Sequence, residues 1–128
     1  MLLRRFATFA LCLVLLNACQ EPETPDKPSG IEKGRIAAMQ SIKRDELYLK
    51  EYPPLPYPPG QIEFNRLLEE RCGVGIEVLR LPEGTHHEEY VSEVNGWNEV
   101  MKQEIRDRFG DDIFSELWDL SVTTGRGR

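Results

Sequence analysis

Apolar residues recur at helical spacing in four segments of the chain, and these segments predict its helices. The first covers residues 31–51, and the preceding Ser29 with Glu32 fits a capping box, in which each side chain bonds the other residue's backbone amide. The longest covers residues 88–109, where an apolar position returns after every three or four residues. Those positions are Tyr90, Val94, Trp97, Met101 and Ile105. Each of the two segments is therefore expected to bury one face.

Two shorter helices are expected on either side of the long one. A helix over residues 61–71 comes before it, with Gly73 as the C-terminal cap. A last helix follows Gly110, with Asp111 as its N-terminal cap. The apolar face of the first of these helices consists of Phe64, Leu67 and Leu68. The apolar face of the last helix consists of Ile113, Phe114, Leu117 and Trp118.

Residues 74–81 carry the pattern of a β-strand, with Val74, Ile76 and Val78 on one face and Glu77 on the other. A lone strand would leave its backbone N–H and C=O groups unpaired, so a second strand is required. The sequence offers three partners. They are residues 120–124, residues 61–65 if extended, and the same strand of a second copy.

The order helix, proline-rich linker, helix, strand, helix, helix predicts a small, mainly helical α+β protein with one or two short strands. Residues 61–124 are expected to form the folded domain, and residues 125–128 a disordered tail. The predicted core consists of Phe64, Trp97, Met101, Ile105 and Trp118.

Residues 52–60 (YPPLPYPPG) contain five prolines and are expected to adopt polyproline II. Tyr52, Leu55 and Tyr57 alternate with these prolines and are the candidate contacts for a protein partner that has an aromatic groove. The alternative is a stiff connector that packs the same three side chains on the protein's own surface.

The N-terminus has the organisation of a secretion signal. Arg4 and Arg5 precede an uncharged run of 11 residues, 6–16, in which only Thr8 is polar. As a helix this run would span about 16 Å, roughly half of a hydrocarbon core, so it is too short for a stable transmembrane helix.

The segment that follows, Leu16-Asn17-Ala18-Cys19, resembles the lipobox of bacterial lipoproteins. The resemblance implies cleavage of residues 1–18, a diacylglycerol thioether on Cys19 and acylation of its new amino group. It also favours the outer membrane, because Gln20 rather than aspartate follows the cysteine. Residues 19–30 contain three prolines and no large apolar side chain, so they are expected to form a flexible tether.

The chain has 128 residues and a formal net charge of −6, which becomes −8 when Arg4 and Arg5 are removed with the signal. Phosphate backbones are bound by clusters of lysine and arginine, and the sequence has no such cluster. The charge therefore argues against a nucleic-acid partner.

Few residues suggest chemistry. Cys72 is the only cysteine that remains once Cys12 is removed and Cys19 is acylated, and an inert buried thiol is the favoured interpretation. His86, His87, Glu88 and Glu89 are candidate metal ligands just before the long helix, but no third histidine accompanies them. The sequence contains no nucleophile elbow, phosphate-binding loop or zinc-protease motif, so neither catalysis nor a cofactor is expected.

The segments WNEVM (Trp97–Met101) and RFGDDIF (Arg108–Phe114) resemble part of the FEKKY-type bacterial domains. The resemblance covers the C-terminal half of the chain and implies no activity. It implies that a strand precedes a helix that begins with an aromatic–Asn pair and ends in a basic–aromatic–Gly turn.

Together these patterns predict an outer-membrane lipoprotein that faces the periplasm and acts as an accessory or protein-binding module. Its expected partners are the membrane, through the acyl chains on Cys19, and a protein or a second copy of the chain. The alternatives are a metal-binding lipoprotein that uses His86 and His87, and a small hydrolase or envelope-enzyme inhibitor.

Overall fold

The computed structural model describes residues 27–52, 56–80 and 87–125. In chain order these residues form α1 (Gly30–Lys43), β1 (Tyr48–Glu51), α2 (Gln61–Cys72), β2 (Gly75–Val78), α3 (His87–Phe109) and α4 (Ile113–Gly125). The prediction of a mainly helical α+β protein with one or two short strands is confirmed, and the described residues form two strands. The signal segment, Cys19 and most of the tether, Leu55, His86 and residues 126–128 lie outside the described residues.

Helix α1 begins with the capping box that the sequence predicts. The Ser29 hydroxyl accepts a hydrogen bond from the Glu32 amide, and the Glu32 carboxylate accepts one of 2.9 Å from the Ser29 amide. The bonds from Ser29 favour the ionised carboxylate, and they lower the pKa of Glu32 below its ordinary value.

The prediction that this helix continues to residue 51 is wrong. The helix ends at Lys43, because Asp45 adopts a left-handed backbone conformation with a φ of 59°. The Ser41 hydroxyl donates a 2.8 Å hydrogen bond to the Glu46 carbonyl, which holds the chain in this turn. Residues 48–51 then run as strand β1 instead of a last helical turn.

Strand β1 is the partner that β2 requires, and the two strands pair in parallel with Leu49 opposite Ile76. Helix α2 connects them, as parallel strands need a crossover between their ends. None of the three partners considered from sequence pairs with β2. Residues 61–65 and 120–124 are helical, and β2 pairs with β1 of the same chain and not with the same strand of a second copy.

Side chains of α3 bond the edge of β1 that faces away from β2. The Trp97 indole N–H donates to the Tyr48 carbonyl at 2.9 Å. The Asn98 amide accepts from the Lys50 N–H at 2.9 Å and donates to the Lys50 carbonyl at 2.8 Å. These bonds pair three backbone groups of this edge without a third strand.

Helices α1 and α3 cross with their backbones in close contact at two glycines. An added Cβ at Gly34 would lie 1.9 Å from the Glu93 carbonyl oxygen, and one at Gly96 would lie 2.1 Å from the Ile31 carbonyl oxygen. Only glycine fits at either position in this packing.

The core prediction is confirmed for Trp97, Met101 and Ile105, which are buried, and Phe64 is half-buried. It is wrong for Trp118, which is 36% exposed and whose ring lies 5.7 Å from the Phe64 ring in a T-shaped arrangement. Helix α4 instead buries Leu117 and Ser121, so Trp118 lies at the margin of the core.

The aromatic–Asn pair, Trp97-Asn98, lies in the middle of α3 and not at its start, which corrects the expectation that the FEKKY resemblance raised. Strand β2 does precede this helix, and α3 ends at Phe109 before Gly110, whose φ is 112°.

Candidate functional site

A pocket of about 330 Å³ lies between one face of the two-stranded sheet and helices α2, α3 and α4. We call it the sheet pocket. Because Leu49 and Ile76 are opposite each other in the parallel register, their side chains share the face that borders it. The aromatic rings of Phe64 and Phe114 also line it. The sheet pocket therefore has an apolar floor.

Amide side chains form one side of the pocket rim. Gln61 donates to the Asn65 side-chain oxygen at 2.9 Å, and Asn65 donates to the Glu51 carboxylate at 3.2 Å. This chain of hydrogen bonds connects the first turns of α2 to the end of β1. It holds the Glu51 carboxylate at the pocket without a cationic partner among the described residues.

Two cations, Lys102 and Arg106, form the other side of the rim and lie one turn apart on α3. The Arg106 guanidinium is 5.3 Å from the centre of the Phe114 ring. Within the described ranges neither cation is in a salt bridge, whereas Arg35, Arg66 and Arg108 all are. A mainly apolar pocket with a few convergent polar groups is the usual form of a small-molecule site.

Sequence analysis did not identify this pocket or its rim residues. Two like charges four positions apart on one helix, as at Lys102 and Arg106, destabilise the helix slightly and can signal a functional role. Recognising these two cations as part of a pocket also requires strand β1, which forms the opposite side, and the sequence pattern assigned the residues of β1 to a helix.

The proline-rich segment contributes its two tyrosines in different ways. The Tyr52 hydroxyl is buried without a hydrogen-bond partner among the described residues, and the ring packs edge-on against Tyr90 at 6.3 Å. Burial raises the pKa of Tyr52. Tyr52 thus packs on the protein's own surface, as the connector alternative expects.

Tyr57 lies on a second recess of about 330 Å³, together with Pro58, Pro59 and Ile62. We call these four residues the proline ledge. Ile62 is 72% exposed, which makes it the most exposed of the large apolar side chains in the described ranges. The ledge and the sheet pocket share no lining residue.

The candidate metal ligands do not form a site within the part of the chain that the structure describes. His87 begins α3 with an exposed side chain, and Glu88 and Glu89 follow in its first turn. Lys33 of α1 pairs with Glu89. Groups of three or more metal-ligating side chains do not occur among the described residues.

Cys72 is buried at the end of α2, with 8% of its surface exposed. Burial disfavours the thiolate and raises the pKa of Cys72 above its ordinary value. The thiol therefore stays protonated at neutral pH, as the interpretation of an inert buried cysteine expects.

No protein-family model, curated protein or solved structure matches the chain. Among the residues described, none of the helices combines the length and apolar character needed to cross a bilayer.

Proposed function

We propose that the protein is a lipoprotein of the bacterial outer membrane and that Cys19 carries its lipid anchor. Its folded unit acts in the periplasm as an accessory module that binds a protein partner, and it is not an enzyme. The observation that carries this proposal is the order of features in residues 1–19. A basic start, an apolar run and Leu16-Asn17-Ala18-Cys19 follow one another without interruption.

The position of α1 supports an anchored arrangement. This helix begins at Gly30, so only ten residues separate it from Cys19. Even when fully extended, ten residues span at most about 35 Å. The folded unit would therefore remain close to the lipid surface, within reach of partners in the same membrane.

The composition of the proline ledge supports a protein partner. Ile62 exposes most of its side chain next to two prolines and the half-buried ring of Tyr57. Proline rings already restrict the backbone before binding, so these positions lose little conformational entropy, and an exposed aliphatic anchor supplies apolar area.

The mass of the intact protein extracted from membranes tests the processing step. We expect a species that begins at Cys19 and carries one diacylglycerol and one further acyl chain. A species that retains Met1, or one that begins at Cys19 without lipid, would contradict the proposed modification.

Photo-crosslinking in living cells tests the ledge. A photoreactive phenylalanine analogue at position 62 is expected to give one discrete crosslinked band, because the side chain at this position would lie in the interface. The matched control is position 91, where Val91 is 39% exposed on α3. Equal crosslinking patterns at the two positions would contradict a specific contact at the ledge.

A further inference from the structure

We propose that the sheet pocket binds a small carboxylate with a short apolar tail. This inference goes beyond the proposed anchoring and protein contact, because the sheet pocket and the proline ledge involve different residues. It rests on the charge of the rim, the apolar floor and the volume of the pocket.

The charges that line the pocket favour an anion. Lys50, Lys102 and Arg106 bring three positive charges to the pocket, and Glu51 brings one negative charge. The net charge of the lining is therefore +2, in a chain whose total charge is −6. A negatively charged ligand is attracted by this lining, whereas a cation is repelled.

The two cations are available to a ligand. Lys102 is exposed and Arg106 is half-buried, and no carboxylate of the described residues pairs with either. By contrast, Lys50, which also borders the pocket, lies 4.3 Å above the Trp97 ring. Hydrogen bonds between an arginine or lysine and a carboxylate are stronger than those between neutral groups.

The position of Arg106 explains why the ligand should be amphipathic. Its guanidinium lies over the Phe114 ring, which also lines the pocket. A ligand whose carboxylate binds Arg106 would therefore place its apolar tail beside the apolar side chains of the same pocket, which are Phe64, Leu49 and Ile76. The volume of about 330 Å³ is at the small end of the usual range for ligand sites, about 300–1,000 Å³. A tail of a few carbons fits this space better than a long acyl chain.

Calorimetry with 4-methylpentanoate tests the proposal, using the full chain in phosphatidylcholine nanodiscs and empty nanodiscs as the reference. We expect saturable binding of the carboxylate. The neutral isostere 4-methylpentanamide is expected to bind about tenfold more weakly, because it carries no negative charge to pair with the cations of the rim. Binding in the series from butanoate to hexanoate should tighten about threefold to fourfold per added methylene.

Variants of the rim provide the second part of the test. Lys102→Gln and Arg106→Gln are each expected to weaken carboxylate binding about tenfold and to weaken amide binding by a smaller factor, because the amide carries no charge that would lose a partner. The matched control is Arg71→Gln, which removes an exposed cation of α2 that does not line the pocket. Equal binding of the carboxylate and the amide to the wild-type protein would overturn the proposal without depending on any variant. Binding to the Lys102→Gln, Arg106→Gln double variant as tight as to the wild type would also overturn it.

Discussion

The Gly34→Ala variant is expected to lose roughly 3 kcal/mol of its free energy of unfolding, because the added methyl group has no space between α1 and α3. At this position a Cβ would lie 1.9 Å from the Glu93 carbonyl oxygen and 2.8 Å from the Trp97 amide nitrogen. Both contacts are backbone atoms of α3, so no side-chain rotation relieves them. The two helices would have to separate, and the buried Trp97 would lose part of its packing. Urea unfolding followed by circular dichroism measures the change.

The sign of this effect separates packing from intrinsic helix propensity. Alanine is more favourable than glycine inside a helix by about 1 kcal/mol, so propensity alone predicts that Gly34→Ala stabilises the protein. Gly75→Ala, at a glycine of strand β2, is the control for the added methyl group alone, since a Cβ at this position would lie 3.6 Å from the Tyr48 Cβ, an ordinary contact distance. We expect the control to change stability by less than about 1 kcal/mol. A Gly34→Ala protein as stable as the wild type would show that the helices do not pack as closely as described.

Local patterns predicted the elements that depend on nearby residues. The capping box at Ser29, the cap at Gly73 and the end of α3 before Gly110 each follow from a few neighbouring positions, and each is present. Gly34 and Gly96 had no such signal. A glycine in a helical pattern counts only as a weak helix former until the neighbouring helix is known.

Strand β1 was missed because long-range contacts determine it. Residues 47–51 continue an imperfect apolar stripe, which favoured a helix when judged locally. In the fold, Leu49 pairs with Ile76, and the Lys50 backbone donates one hydrogen bond to the Asn98 side chain and accepts another from it. These partners lie tens of positions away, and no window of nearby residues contains them.

The candidate site depended on the same missing strand. Glu51 was assigned to a helix, and Lys102 and Arg106 lie outside the apolar positions of the long helix, so nothing in the pattern brought them together. Only the parallel pairing and the packing of α3 against β1 place these three residues on one rim. Of the residues chosen as partner contacts, Tyr52 packs against Tyr90, whereas Tyr57 belongs to the proline ledge.

The Cys19→Ser variant is expected to leave the membrane almost completely. A serine cannot form the diacylglycerol thioether, and without it the N-terminal acylation does not follow. Two or three acyl chains hold a protein on a bilayer stably, because each buried CH₂ contributes about 0.8 kcal/mol, whereas a single chain binds only marginally. The matched control is Cys72→Ala, which changes the buried cysteine of the folded unit and is expected to leave membrane retention unchanged.

The share of the protein in the membrane fraction, measured together with incorporation of an alkyne-tagged palmitate, tests the lipid anchor most directly. The wild type and Cys72→Ala are expected in the membrane fraction with the label, and Cys19→Ser in the soluble fraction without it. A Cys19→Ser protein that remains labelled and bound to the membrane would contradict the anchor at Cys19.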